Sequence, residues 1–204
     1  MKEVRIKQKK DSIPLQPLHI TYDIETVTLT DNQADALDPL KGQLVCVGFK
    51  EWNAGTTTIF CEENENAVLQ QAWSYIISKI PNAIFMGFNI SFDWEWLVKK
   101  GLKHCPEKVH KAQYFNVPQA DVRMVLTNGD KYKKGTLKDY CDFFGIPVKT
   151  LGHGEEVTAW FRKKEFDKIK AYNAEDLLAE EKLAELVLNL KKPEVNIEKE
   201  IVKK

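Results

Sequence analysis

Two short runs limit the architecture most. QLVCVGFKEW, residues 43–52, and NAIFMGF, residues 82–88, are nearly unbroken apolar stretches of strand length. A strand with one wet face alternates apolar with polar residues; a continuous apolar strand is buried on both faces. Both runs therefore need cover above and below, which helices packed on a sheet supply. LHITYDIE, residues 18–25, reads as a strand before them, and the β-branched TTTIFC, residues 56–61, as a short one between them. Short turns between the first three suit an antiparallel meander.

The helical signals complete the layout. Residues 65–80 place Val68, Leu69, Ala72, Trp73, Ile76, Ile77 and Ile80 at helical spacing, and Pro81 stops them. SFDWEWLVKKGL, residues 91–102, reads as a helix opened by a Ser or Asn cap and closed by Gly101. TLKDYCDFFGI, residues 136–146, has Thr136 as its N-cap and Gly145 past its end. PVKTLGHGEEV, residues 147–157, reads as a loop; residues 165–192 read as a long helical region broken near Tyr172 and ended by Pro193. The expected fold is α/β: a mixed sheet of about five strands, three of them antiparallel at the start, flanked by helices. It occupies one domain, 18–192, between a flexible basic arm, 1–17, and a charged tail, 193–204.

Composition narrows the class further. Hydrophobic residues make up 43% and charged residues 29%, which excludes a disordered chain. Lys+Arg and Asp+Glu both total 30, so nucleic-acid binding gains no support from global charge, although a local basic face remains compatible. No window approaches 18 consecutive apolar residues, and the N-terminal lysines precede no apolar h-region, so a cytoplasmic protein is expected, without membrane partners. Cys46, Cys61, Cys105 and Cys141 form no C-x-x-C pair and read as reduced thiols.

Three segments carry chemistry. Asp23 and Glu25 end the first strand, two residues apart, so both side chains leave the same face. Two carboxylates so close repel unless one is protonated or a cation lies between them, and a hard divalent cation is the natural filler. A second D-x-E, Asp93-Trp94-Glu95, lies on a helix, where positions two apart diverge. Asn89 and Asp93 follow the buried strand that ends at Gly87-Phe88, where ligand groups gather in open α/β sheets. A helix cap for Asn89 and a favourable helix-dipole contact for Asp93 are the structural alternatives. Tyr172 and Asp176 are four apart and share a helix face beside an apolar stripe; an exposed Asp with Tyr172 packing across a turn is the alternative.

In order, D-x-E on the first strand, N-x-x-F-D after a later strand and Y-x-x-x-D on a late helix resemble the exonuclease motifs of the DEDD superfamily, 3′–5′ exonucleases on an RNase H-like fold. The tyrosine resembles the DEDDy branch. Over residues 18–190 the chain is most similar to the exonuclease domain of family B DNA polymerases, without a polymerase. The helix 136–146 fits the interval between the second and third motifs.

The resemblance implies two Mg²⁺ or Mn²⁺ ions held by Asp23, Glu25, Asp93 and Asp176, with Asp23 shared by both, and in-line cleavage of a phosphodiester bond at the 3′ end of DNA, preferably single-stranded, releasing nucleoside 5′-monophosphates. It implies that Tyr172 orients the attacking water and helps to deprotonate it. Thr26, Phe88, Asn89 and Phe92 would line the substrate strand; Phe88 and Trp94 suit base stacking or core packing equally. GDKYKKGT, residues 129–136, offers Lys131, Lys133 and Lys134 around Tyr132 as a phosphate-binding loop, or as a solvated turn. His153, between two glycines, reads as a loop residue. A polymerase or other replication protein is the expected partner beside DNA, and the location is nucleoid-associated in a cell or host cytoplasm for a virus. An exoribonuclease of the same fold and a non-catalytic nucleic-acid-binding subunit of a replication or repair complex are the rival readings.

Overall fold

The computed structural model describes residues 17–52, 54–112, 116–147 and 154–190. The proposed arm and tail, and His153, lie outside the described residues, apart from residue 17. Five strands form one sheet: β1 (Leu18–Val27), β2 (Gln43–Glu51), β3 (Thr57–Cys61), β4 (Ala83–Gly87) and β5 (Gln119–Asp121). Their order is β3-β2-β1-β4-β5. The β1–β2 and β2–β3 pairs are antiparallel, and β1–β4 and β4–β5 are parallel; only the β2–β3 connection is short, since residues 28–42 and a 3₁₀ turn lie between β1 and β2. The sheet is mixed and carries the expected meander.

Helices cover both faces. One face takes α1 (Glu65–Lys79), α2 (Ile90–His104) and α3 (Pro106–Ala112). The long helix α7 (Phe166–Val187) crosses the other face, touching β1, β2, β3 and β4. Around it lie α4 (Val122–Leu126), α5 (Leu137–Phe144) and α6 (Glu155–Arg162). The pleat divides β1 between these layers. Ile20, Tyr22 and Ile24 enter the core with Val68, Trp73 and Trp96, while Asp23 and Glu25 turn to the α7 side. Residues 44–49 of β2 are all buried, as their unbroken apolar run demands.

Several boundaries differ from the sequence reading. Helix α2 continues through Gly101 to His104. Gly101 sits inside the helix because a Cβ there would lie 2.3 Å from Trp73 Nε1, so the glycine marks close packing with α1 instead of a stop. Helix α7 is unbroken at Tyr172, and its docking on four strands overrides the local polar run. Glu155–Val157, read as loop, begin α6. The short elements α3, α4, β5 and a 3₁₀ turn at Gln33–Leu37 were not foreseen. The α5 boundaries hold: Thr136 forms a capping box with Asp139, and Gly145 takes the left-handed conformation at the end. All four cysteines are free thiols. Among the described residues no helix is long and apolar enough to cross a membrane.

Candidate active site

The three parallel strands β1, β4 and β5 end at one edge of the sheet, and each delivers polar groups there. Thr21 pairs with Met86, so β1 runs on past the end of β4 and carries Asp23 and Glu25 beyond it. Strand β4 ends at Gly87 and passes through Asn89 into α2, whose first turn holds Asp93. Strand β5 ends at Asp121. Helix α7 closes the site with Tyr172, Asn173, Asp176 and Glu180. Carboxylate oxygens of Asp23, Glu25 and Asp176 lie within 4.8 Å of one another.

Asp23, Glu25 and Asp93 each have a local anchor. Asn173 Nδ2 donates to Asp23 Oδ2 at 2.8 Å and to Glu25 Oε1 at 3.5 Å. The backbone N–H of Ile24 donates to Asp93 Oδ1 at 3.3 Å, tying α2 to β1. Asp93 is therefore a buried group facing β1, and more than a helix-dipole residue, while Glu95 is exposed and pairs with Lys99. Asn89 is left-handed, with φ 63°, and its side chain makes no cap bond. Its N–H donates to Asp121 Oδ1 at 3.1 Å, and its Oδ1 accepts from Arg123 at 3.4 Å. A strained backbone held at both ends fixes where α2 starts.

Crowding of acids dominates the electrostatics. Burial, then Glu25, Glu180, Asp176 and Asp93, pushes the Asp23 carboxyl well above the usual carboxylate range. Burial lifts Asp93 to about 7, against the pull of the Asp93 and Ile24 N–H groups, with Asp121 and Asp176 adding to the rise. Glu180 is raised in the same way, by burial and then by Asp93 and Asp176. Among the described residues Asp23 and Asp93 make no ion pair with a Lys or Arg. Carboxylates crowded in this way fit a hard divalent cation, whose preferred ligands are oxygens of this kind. The buried, unpartnered Oε2 of Glu180 points the same way.

Tyr172 is buried against the Trp160 ring, centroids 5.6 Å apart. A Cβ on Gly154 would lie 3.5 Å from its hydroxyl. Burial, then Glu25, Asp176 and Asp23, drives the phenol far above its ordinary value. In these surroundings the phenol keeps its proton and can donate a hydrogen bond.

The expected substrate residues divide. Glu25, Thr26, Phe92, Gly154, Glu155 and Thr158 help to line a cleft of about 690 Å³ beside the acids. The Thr26 hydroxyl donates to Ala36 O at 2.6 Å. Phe88 packs on Tyr140, and Trp94 is in the core against Trp73 and Tyr22. Lys131, Lys133 and Lys134 are exposed, on a loop whose carbonyls at Lys131 and Lys133 accept from Arg123. Asn173, Glu180, Asp121 and Arg123 escaped the sequence reading. Glu180 follows Asp176 by one helical turn, and that spacing is the signal that could have found it.

A family model described as a predicted 3′–5′ exonuclease related to the exonuclease domain of PolB matches residues 56–180. The chain belongs to that family. The matched span contains Asp93, Tyr172 and Asp176; Asp23 and Glu25 precede it and enter the site through geometry. An uncharacterized protein of Methanocaldococcus jannaschii is 31% identical over 140 residues, 67% of this chain and 77% of that one. The family B DNA polymerase of the hyperthermophilic archaeon Pyrobaculum calidifontis shares the fold, with a TM-score of 0.68 and 18% identity. The alignment covers 88% of this chain and 25% of the polymerase, so the chain corresponds to a quarter of that protein's length.

Proposed function

We propose that this protein is a metal-dependent 3′–5′ exonuclease that releases nucleoside 5′-monophosphates from DNA, preferably single-stranded. The carrying observation is the meeting of Asp23 and Glu25 from β1 with Asp176 from α7, within 4.8 Å, in a member of a family described as exonucleases. Asp23, Glu25, Asp93 and Asp176 would hold two Mg²⁺ or Mn²⁺ ions. Such ions, when bound, supply charge stabilisation to the attacking and leaving oxygens of an in-line displacement at phosphorus.

The chain's own groups do the rest. Asp23 and Glu25 come from β1, Asp93 from α2 and Asp176 from α7, so the docked fold sets their spacing before substrate arrives. The Tyr172 hydroxyl, kept protonated by its surroundings, orients the attacking water. Phe92 and Thr26 present one apolar and one polar wall of the cleft to the terminal nucleotide. Lys131, Lys133 and Lys134 hold the phosphates further along the strand through charge. DNA is the partner in this reading, with a polymerase or another replication protein as the place of action, and the site opens to the aqueous phase.

The test is cleavage of 3′-labelled and 5′-labelled single-stranded DNA and RNA with Mg²⁺ or Mn²⁺. Stepwise loss from the 3′ end of DNA is expected, abolished by EDTA and by Asp23→Ala. Wild-type rates for a rigorously purified Asp23→Ala protein would refute the assignment, and faster loss from RNA would replace DNA as the substrate.

A further inference from the structure

Asn173 follows Tyr172 on α7 and bonds the acids of β1, yet the proposed reaction gives it no part. It is completely buried, and its amide is aimed at both carboxylates of β1. The orientation is dictated by charge, since a flipped amide would set its oxygen against two acids. The amide oxygen, Oδ1, has no hydrogen-bond partner. It lies over Gly48, the β2 residue directly opposite Asp23 in the ladder. A Cβ on Gly48 would stand 1.9 Å from that oxygen, so only glycine admits the amide. Glycine in a strand interior is costly unless something needs the space.

We infer that Asn173 is a positioning residue: seated over Gly48, it fixes the carboxylate of Asp23, and more loosely that of Glu25, in the orientation that receives a divalent cation. This rests on the exonuclease reading of the same site. An amide suits the task because it donates hydrogen bonds without bringing charge. Lys or Arg at this position would neutralise the acids and compete with the cation, and Asp would add to their repulsion. By occupying Oδ2 of Asp23, Asn173 sets the direction of the remaining lone pairs. Outer groups that orient ligands in this way typically change metal affinity or activity by about 10–100-fold when removed.

The experiment titrates the full-length protein with Mn²⁺ and follows free Mn²⁺ by electron paramagnetic resonance, with folding monitored by thermal melts in EDTA. Asn173→Leu keeps the volume and removes the donor, so a residue that merely fills space would show wild-type affinity. About 10–100-fold weaker Mn²⁺ binding is expected. Gly48→Ala should weaken binding comparably by displacing the amide, and the double variant should lose no more than the worse single one. Should Asn173→Leu fail to fold, Gly48→Ala and Asn173→Ala carry the same comparison. Folded variants binding Mn²⁺ within about twofold of wild type would overturn the positioning role, even with normal DNA cleavage. A wild type that binds Mn²⁺ but cleaves no nucleic acid, with Asn173→Leu still weakened, would overturn the exonuclease reading and uphold the role. A wild type that binds no Mn²⁺ overturns both.

Discussion

Replacing Asp93 with Asn should stabilise this protein when divalent cations are chelated. Asp93 is 6% exposed. Burial, opposed by the N–H groups of Asp93 and Ile24 and reinforced by Asp121 and Asp176, moves its carboxyl from 3.8 to about 7. A raised folded value means that the folded state holds the proton while the unfolded state has released it. Stability therefore falls as pH rises from about 4 to about 7, and the whole cost is present above that window. That difference corresponds to about 4 kcal/mol. The amide removes the charge and keeps an acceptor for the Ile24 N–H. In a domain of this size, about 4 kcal/mol corresponds to a rise of about 8–16 °C in melting temperature. The assay is thermal unfolding in EDTA from pH 4 to 8. Asp93→Asn should melt well above wild type at pH 8, with the gap closing toward pH 4. Saturating Mn²⁺ should narrow the gap by stabilising wild type more, because only a folded ligand set binds the ion. A variant that melts at or below wild type at pH 8 in EDTA, or a gap independent of pH, would refute the argument.

Other outcomes follow from the same geometry. Tyr172→Phe keeps the ring against Trp160 and should leave Mn²⁺ affinity intact while slowing single-turnover cleavage about 10–1000-fold; Asp176→Asn should weaken both, and equal shifts in metal dependence would remove Tyr172 from its role. Gly101→Ala should destabilise by up to about 2 kcal/mol in urea unfolding, because an overpacking cost of about 1–3 kcal/mol against Trp73 exceeds the roughly 1 kcal/mol gained in helix propensity; a stabilised variant would contradict the contact. Removing Lys131, Lys133 and Lys134 together should weaken DNA binding uniformly across sequences and flatten its salt dependence, with little change in cleavage rate at saturation. An unchanged salt slope would place the DNA path elsewhere.

Legibility from sequence tracked the size of the periodic signal. Strands β1 to β4 and helices α1, α2 and α7 declare themselves because long apolar patterns have one cheap burial solution. Strand β5 has three residues and α4 five, too short for any period. Asp35, in the unforeseen 3₁₀ turn, accepts from Thr30 and Asn32, a local polar knot that hydrophobic patterning does not register. Gly101 looked like a helix stop because glycine's ending role and its close-packing role write the same letter. At the site, the D-x-E spacing on a strand pointed to Asp23 and Glu25, while Asp93 and Asp176 were assigned through the resemblance to the DEDD motifs. Asn173 was passed over because an amide carries no charge signal, and Gly48 because its partner lies on an element distant in sequence.

The site joins groups far apart along the chain: Asn173 and Asp23 are separated by 150 positions. Contacts of such range are slow to form, since a long loop must close before they return anything. Ribosomal synthesis delivers β1 early and α7 last among the described elements, and at about 5–20 residues per second many seconds separate them. Throughout that interval the acids of β1 lack Asp176 and the amide that orients them. The nascent chain therefore carries no assembled acid cluster until α7 docks on the sheet.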